Sequence, residues 1–173
     1  MEDFLEILKY VLPSGVVFAT AYFLLKAFLD NGNQKKMIEM KMSNQTATMP
    51  VRLQAYERII LLLERISPGS LVMRVTQPGM TAFQLQTALI QNIRDEFEHN
   101  LAQQIYFSST AWELAKNAKE ETIKLVNIAA SKLNESATAL DLGSVIFEMS
   151  AKTDKLPVTA AIEYIKKEVR QLF

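Results

Sequence analysis

The stretch from residue 10 to residue 29, which reads YVLPSGVVFATAYFLLKAFL, constrains this chain more than any other feature. Its only charged residue is Lys26, and the part from Tyr10 to Leu25 carries no charge. An uncharged helix of that length covers about 24 Å, whereas the hydrocarbon core of a bilayer is about 30 Å thick. Lys9 and Lys26 close the gap, because their aliphatic stems can lie in apolar surroundings while their ammonium groups reach the headgroups. The stretch therefore predicts a single transmembrane helix flanked by Lys9 and Lys26.

Two other interpretations of this stretch stay open. Ala19-Thr20-Ala21 has the small residues of a signal-peptide cleavage site, but the residues before it include Glu2 and Asp3 and no basic cluster. A helix this apolar could also be buried in the core of a soluble bundle. The length of the apolar run favours a transmembrane helix over both.

The basic residues around the stretch predict its orientation. Only Lys9 precedes its uncharged part, and five basic residues follow that part: Lys26, Lys35, Lys36, Lys41 and Arg52. Lysine and arginine are enriched on the cytoplasmic side of membrane proteins. We therefore expect a single-pass protein of the inner (plasma) membrane, with a short N-terminus outside and the C-terminal part in the cytoplasm.

Composition excludes several classes of function. The chain has 19 lysine and arginine residues, 19 aspartate and glutamate residues, and no cysteine. The balanced charge argues against a nucleic-acid-binding protein, and the lack of cysteine excludes disulfides, thiolate zinc sites and cysteine nucleophiles. No nucleotide-binding fingerprint or catalytic grouping is present. We therefore predict a protein that is not an enzyme, with no cofactor and no evident small-molecule substrate.

Helical patterns continue to the end of the chain and predict an all-α fold. Asp30-Asn31-Gly32-Asn33 is typical of a helix stop. We expect a transmembrane anchor over residues 1–30, a juxtamembrane linker over 31–49, and a cytoplasmic antiparallel bundle of about five helices over 50–173. The bundle helices are predicted near residues 50–66, 81–105, 110–133, 140–151 and 157–172.

Two local patterns predict how the bundle is built. Thr81 and Gln84 form a capping box, and Thr110 with Glu113 has the same pattern. The helix that follows Thr110 carries a seam of mostly small residues in steps of about four and three: Ala111, Ala115, Ala118, Thr122, Leu125, Ala129 and Leu133. Such a seam lets two backbones approach closely. We therefore expect this helix to pack antiparallel against the preceding one.

Glu96 and His99 form the Glu-x-x-His step that supplies metal ligands in di-iron bundles. His99 is the only histidine, and its position on the helical wheel lies opposite the apolar stripe. A surface histidine paired with Asp95 is therefore favoured over a metal ligand.

The segment from Arg52 to Arg58, RLQAYER, is the most distinctive string outside the N-terminal helix. Its residues fit either a helix face with local ion pairs or an edge that docks a partner. Trp112 fits either a core position or a binding hot spot. We name Arg52, Tyr56, Glu57, Arg58 and Trp112 as the candidate partner surface.

Residues 51–75, VRLQAYERIILLLERISPGSLVMRV, and residues 93–112, IRDEFEHNLAQQIYFSSTAW, resemble an uncharacterised family of small proteins from Bacteroidota. The resemblance implies an N-terminal membrane helix joined to an α-helical cytoplasmic domain, and it carries no known activity.

The sequence thus predicts a membrane-anchored helical interaction or scaffold module. Its expected partners are the lipid bilayer and either another protein or a second copy of the chain, with no nucleic acid. The alternative is a membrane-tethered metal-binding protein or enzyme that uses Glu96 and His99.

Overall fold

A computed structural model describes the backbone of residues 2–172 and the side chains of residues 15–26, 28–29, 36, 40 and 48–171. Within these residues the chain is helical and has no strand, which confirms the all-α prediction. The helices are α1 (Glu2–Ile66), α2 (Pro68–Val75), α3 (Ala82–His99), α4 (Ser109–Ser131), α5 (Ala139–Ala151) and α6 (Pro157–Leu172). A 3₁₀ segment, Leu101–Tyr106, lies between α3 and α4.

Helix α1 runs without interruption from Glu2 to Ile66, so the predicted stop at Asp30 to Asn33 is wrong. Glycine in a helix costs about 1 kcal/mol relative to alanine, and a single Gly32 does not end a long helix by itself. Residues 34–42 are mostly glutamine, lysine, methionine and glutamate, which are good helix formers. The start of the first bundle helix, predicted near residue 50, also lies inside α1.

The chain divides into two compact units, Met1–Pro50 and Val51–Phe173. In the first unit, every described large apolar side chain from Val16 to Leu29 is exposed, by 54% to 76%. In the described residues, no helix combines the length and the apolar character needed to cross a bilayer. Lys9 and residues 10–14, which belong to the predicted transmembrane stretch, lie outside the described side chains.

In the second unit, the last turns of α1 form part of the hydrophobic core. The side chains of Tyr56, Ile59, Leu62, Leu63 and Ile66 are buried there. Their spacing places them on one face of the helix. This face of α1 therefore belongs to the core, whereas Val51, Leu53 and Leu61 are exposed.

Helices α3 and α4 pack antiparallel, as predicted. The Gln86 side chain, near the start of α3, donates to Asn127 near the end of α4 at 2.9 Å. At the opposite ends, the rings of Phe97 and Trp112 lie 5.2 Å apart between centroids. Five residues of the predicted α4 seam are buried: Ala111, Ala115, Ala118, Thr122 and Ala129. Leu125 and Leu133 are only half-buried, and Val126, which was not predicted, is buried. The most extensive packing of α4 is nevertheless with α6.

The helix ends agree with the sequence at some caps and differ at others. The capping box of Thr81 and Gln84 is present, with both hydrogen bonds formed. Helix α3 ends at His99 instead of continuing to Ile105, which is 75% exposed in the 3₁₀ segment. Ser108, not Thr110, caps α4 by accepting from the N–H of Ala111 at 3.1 Å. The predicted Thr110 cap is therefore wrong by two residues.

The start of α5 is joined to the start of α3 by a short antiparallel bridge between Thr81 and Thr138. The N–H of Ala82 donates to the Ala137 carbonyl, and the N–H of Ala139 donates to the Met80 carbonyl, both at 3.0 Å. Thr138 and Asp141 also form a capping box that the sequence interpretation missed.

Enlarging the α4 seam should destabilise the second unit. Ala118 is fully buried, so Ala118→Leu must displace packed neighbours, and we expect a loss of about 1–3 kcal/mol in the free energy of unfolding. Asn117→Leu, at the exposed adjacent position, should change it by less than about 0.5 kcal/mol. Urea unfolding followed by circular dichroism measures both values, and equal effects would contradict a tightly packed seam.

Candidate functional site

The densest polar network in the described part of the chain is centred on Glu168 of α6. Its Oε1 accepts a hydrogen bond from the Tyr56 hydroxyl at 2.6 Å and another from the Ser108 N–H at 3.2 Å. Its Oε2 accepts from the Ser108 hydroxyl at 2.5 Å. One half-buried carboxylate therefore joins α1, the cap of α4 and α6.

The network holds the carboxylate ionised and the phenol protonated. Burial acts to raise the pKa of Glu168, but the hydrogen bonds from Ser108 and Tyr56, together with the nearby Arg52 guanidinium, lower that pKa below its usual value. Burial raises the pKa of Tyr56 to about 12, and the hydrogen bond to Glu168 and its negative charge act in the same direction. The Tyr56 hydroxyl is thus a permanent donor near neutral pH.

A chain of aromatic rings leads from this network into the core. Phe107 meets Tyr56 edge to face, with 5.0 Å between ring centroids, and stacks on Trp112 at 6.3 Å. Trp112 in turn contacts Phe97, and the ammonium group of Lys119 lies 4.6 Å from the Phe97 ring centroid. Each such contact stabilises the fold by about 0.5–1.5 kcal/mol, in addition to the stabilisation that comes from the apolar area it buries. The rings fix Phe107 and, with it, the segment that carries Ser108.

A cleft of about 640 Å³ opens above the Glu168 network. The elements around it are α1, the 3₁₀ segment and α6. Its lining includes Arg52, Ile105, Tyr106, Tyr164, Lys167 and Glu168. The volume lies within the range of about 300–1,000 Å³ that is typical of small-molecule sites. We take this cleft as the candidate functional site.

The residues of the candidate partner surface differ in burial and in their contacts. Tyr56 is only 2% exposed, so its ring belongs to the core, and Trp112 is half-buried in the ring chain. Glu57 and Arg58 are exposed, and Arg52 lines the cleft. Arg52 and Tyr56 meet at Glu168, whereas Glu57 and Arg58 do not take part in that network. Partner binding by these residues stays a prediction.

Glu96 and His99 are not arranged as metal ligands in the structure. The Glu96 carboxylate accepts from Arg65 Nε at 2.7 Å and lies 3.7 Å from Arg74, while His99 is exposed. The expected partner of His99, Asp95, instead accepts from Gln91 at 2.7 Å. In the described part of the chain, no three histidine, cysteine, aspartate or glutamate side chains are grouped to hold a metal ion.

Glu168 is the residue that the sequence interpretation missed. It lies about 60° from Ile165 on the α6 wheel, at the edge of the buried stripe. A carboxylate at the edge of an apolar stripe is a weak indication of a buried hydrogen-bond network, because side chains at such positions are often solvated. The bond between Ser108 and Glu168 could not be read from local sequence, because it joins residues that lie 60 positions apart.

The comparisons with known proteins identify a family but no activity. A model described as a family of unknown function (DUF7935) matches residues 2–172. The comparison with curated proteins gave no match, and neither did the comparison with solved structures.

The Glu168 network should make stability depend on acidic pH. Because the folded-state pKa of Glu168 lies below its usual value, its contribution is present above the unfolded-state pKa of about 4.3 and is lost as pH falls through the folded-state pKa. Glu168→Gln should therefore lower the free energy of unfolding by about 1–2 kcal/mol at pH 7 and flatten its decline below about pH 4.5. Urea unfolding at a series of pH values measures both effects.

Two tyrosine variants provide controls for that measurement. Tyr56→Phe keeps the Glu168 charge but removes one donor, so it should flatten the acid decline only in part. Tyr164→Phe removes a hydroxyl that has no hydrogen-bond partner in the described residues and should leave the decline unchanged. An acid decline identical in Glu168→Gln and the native chain would rule out this role for the network.

Proposed function

Since the chain belongs to the DUF7935 family, whose function is unknown, we propose a role from its own side chains: a membrane-anchored helical interaction module. The observation that carries the proposal is the exposure of apolar side chains along α1 from Val16 to Leu29. Soluble monomers rarely expose contiguous apolar surface of this kind unless it contacts a partner or a membrane.

The distribution of these side chains around α1 favours lipid over a partner helix. At about 100° per residue, the large apolar residues from Val16 to Leu29 cover most of the circumference. The remaining sector contains Gly15, Ala19 and Lys26. A coiled coil needs a narrow apolar seam, whereas a helix that is apolar nearly all round is typical of a membrane or a protein core. Lipid can cover every side of such a helix at once.

The sequence supports the membrane in which we place the chain and the orientation of the chain in that membrane. The basic residues beyond Lys26 support a cytoplasmic location for the second unit, with the N-terminus outside. The resemblance to proteins from Bacteroidota supports the plasma membrane of a bacterium.

The second unit supplies the interaction part of the proposal. Several of its large apolar side chains are exposed on different elements: Leu61, Met73, Phe83, Ile105 and Leu140. Glu57 and Arg58 add exposed charges on α1. The partner is another protein or a second copy of the chain.

Charges in the apolar stretch should release the protein from membranes. Each arginine at the centre of a transmembrane helix costs about 2.5–3.5 kcal/mol, so Phe18→Arg with Leu24→Arg should reduce insertion strongly. The measurement is the fraction of full-length protein that sediments with membranes after alkaline carbonate extraction. The matched control, Leu61→Arg with Met73→Arg, adds the same charge at exposed positions of the second unit and should stay in the membrane pellet. Native protein found mainly in the supernatant would overturn the anchor.

A reporter fused after Phe173 should be active in the cytoplasm. An enzyme that works only in the periplasm should be inactive at the same position, and a fusion ahead of Met1 should give the reverse pattern. Activity of the periplasmic reporter at the C-terminus would contradict the proposed orientation.

A further inference from the structure

The charges that line the candidate cleft do not balance. Arg52 and Lys167 are both in its lining, and Glu168 is the one carboxylate among its described lining residues. Both oxygens of Glu168 already accept hydrogen bonds, from Tyr56 and from Ser108. Lys167 forms no ion pair within the described residues, so the cleft retains an uncompensated positive charge at an exposed ammonium group.

The other lining groups add donors and an apolar wall. Tyr106 and Tyr164 bring phenol hydroxyls and Gln171 brings a side-chain amide. Ile105 is 75% exposed at the rim, and Phe107 lines the cleft next to the network. Concave sites with an apolar wall and a few convergent polar groups are typical of small-ligand binding.

We propose that this cleft binds a small organic anion, with a carboxylate or phosphate head near Lys167 and Arg52 and an apolar portion against Ile105 and Phe107. A cationic ligand is disfavoured, because the one carboxylate already accepts three hydrogen bonds from the protein and two basic side chains would repel a cation. The anion would accept the charge-assisted hydrogen bonds that the Lys167 ammonium group does not donate to Glu168.

The proposal does not depend on the membrane anchor. It concerns side chains of the second unit, and binding is measured on the full chain purified in detergent. A failed binding experiment therefore leaves the sedimentation result intact, and a failed sedimentation experiment leaves the binding result intact.

Trp112 offers a direct readout, because it is the only tryptophan in the sequence and stacks on Phe107. Benzoate, phenyl phosphate and the neutral benzyl alcohol should be titrated against the full chain, with fluorescence and calorimetry as measurements. We expect saturable binding of at least one anion, with benzyl alcohol binding at least about tenfold more weakly. Benzoate alone would indicate a carboxylate ligand, phenyl phosphate alone a phosphate ligand, and either result supports the proposal.

Matched variants test whether the anion binds in this cleft. Lys167→Gln should weaken anion binding about tenfold, whereas Lys166→Gln, with the same change of charge on the adjacent exposed residue, should change it by less than about twofold. Ile105→Asp should abolish binding, and Leu140→Asp, at an equally exposed apolar residue elsewhere, should not. The proposal is overturned if neither anion saturates, if benzyl alcohol binds as tightly, or if the two lysine variants behave alike.

Discussion

The close packing of α4 is the constraint on which the second unit depends. Its buried face consists mainly of alanine, with Thr122 satisfied by a hydrogen bond to the Ala118 carbonyl at 2.8 Å. Small side chains let α3, α5 and α6 approach one helix from different directions, so larger residues on the neighbours supply the core volume. Leu85, Leu89 and Ile93 of α3 and Ile165 of α6 are fully buried as a result.

The Glu168 network adds specificity to this apolar packing. A half-buried carboxylate without partners would destabilise the fold, but three donors from two distant parts of the chain satisfy it. The same contacts determine which residue caps α4, because Ser108 both accepts from Ala111 and donates to Glu168. The fold and the candidate site therefore share one set of hydrogen bonds, since Glu168 both lines the cleft and contacts the Ser108 cap of α4.

Local signals predicted the parts of the fold that local interactions determine. The capping box at Thr81, the apolar stripe of α3 up to Phe97 and the small-residue seam of α4 were all readable, since each depends on residues within a few turns. The cap of α4 at Ser108 was not predicted, and Ser108 also donates two hydrogen bonds to Glu168, 60 residues away. Tyr56 was assigned to a surface for a similar reason, since its hydroxyl partner lies 112 residues along the chain. The continuity of α1 through Gly32 was missed because one glycine was given more weight than the helix formers after it.

The bridge between Thr81 and Thr138 has a consequence for the order of folding. It joins by backbone hydrogen bonds two segments that are separated in the sequence by all of α3 and α4. Closing a loop of that length is entropically unfavourable until the helices inside it have packed. We therefore expect the first turns of α3 and α5 to gain these backbone hydrogen bonds together and late in folding, although each helix carries its own capping box.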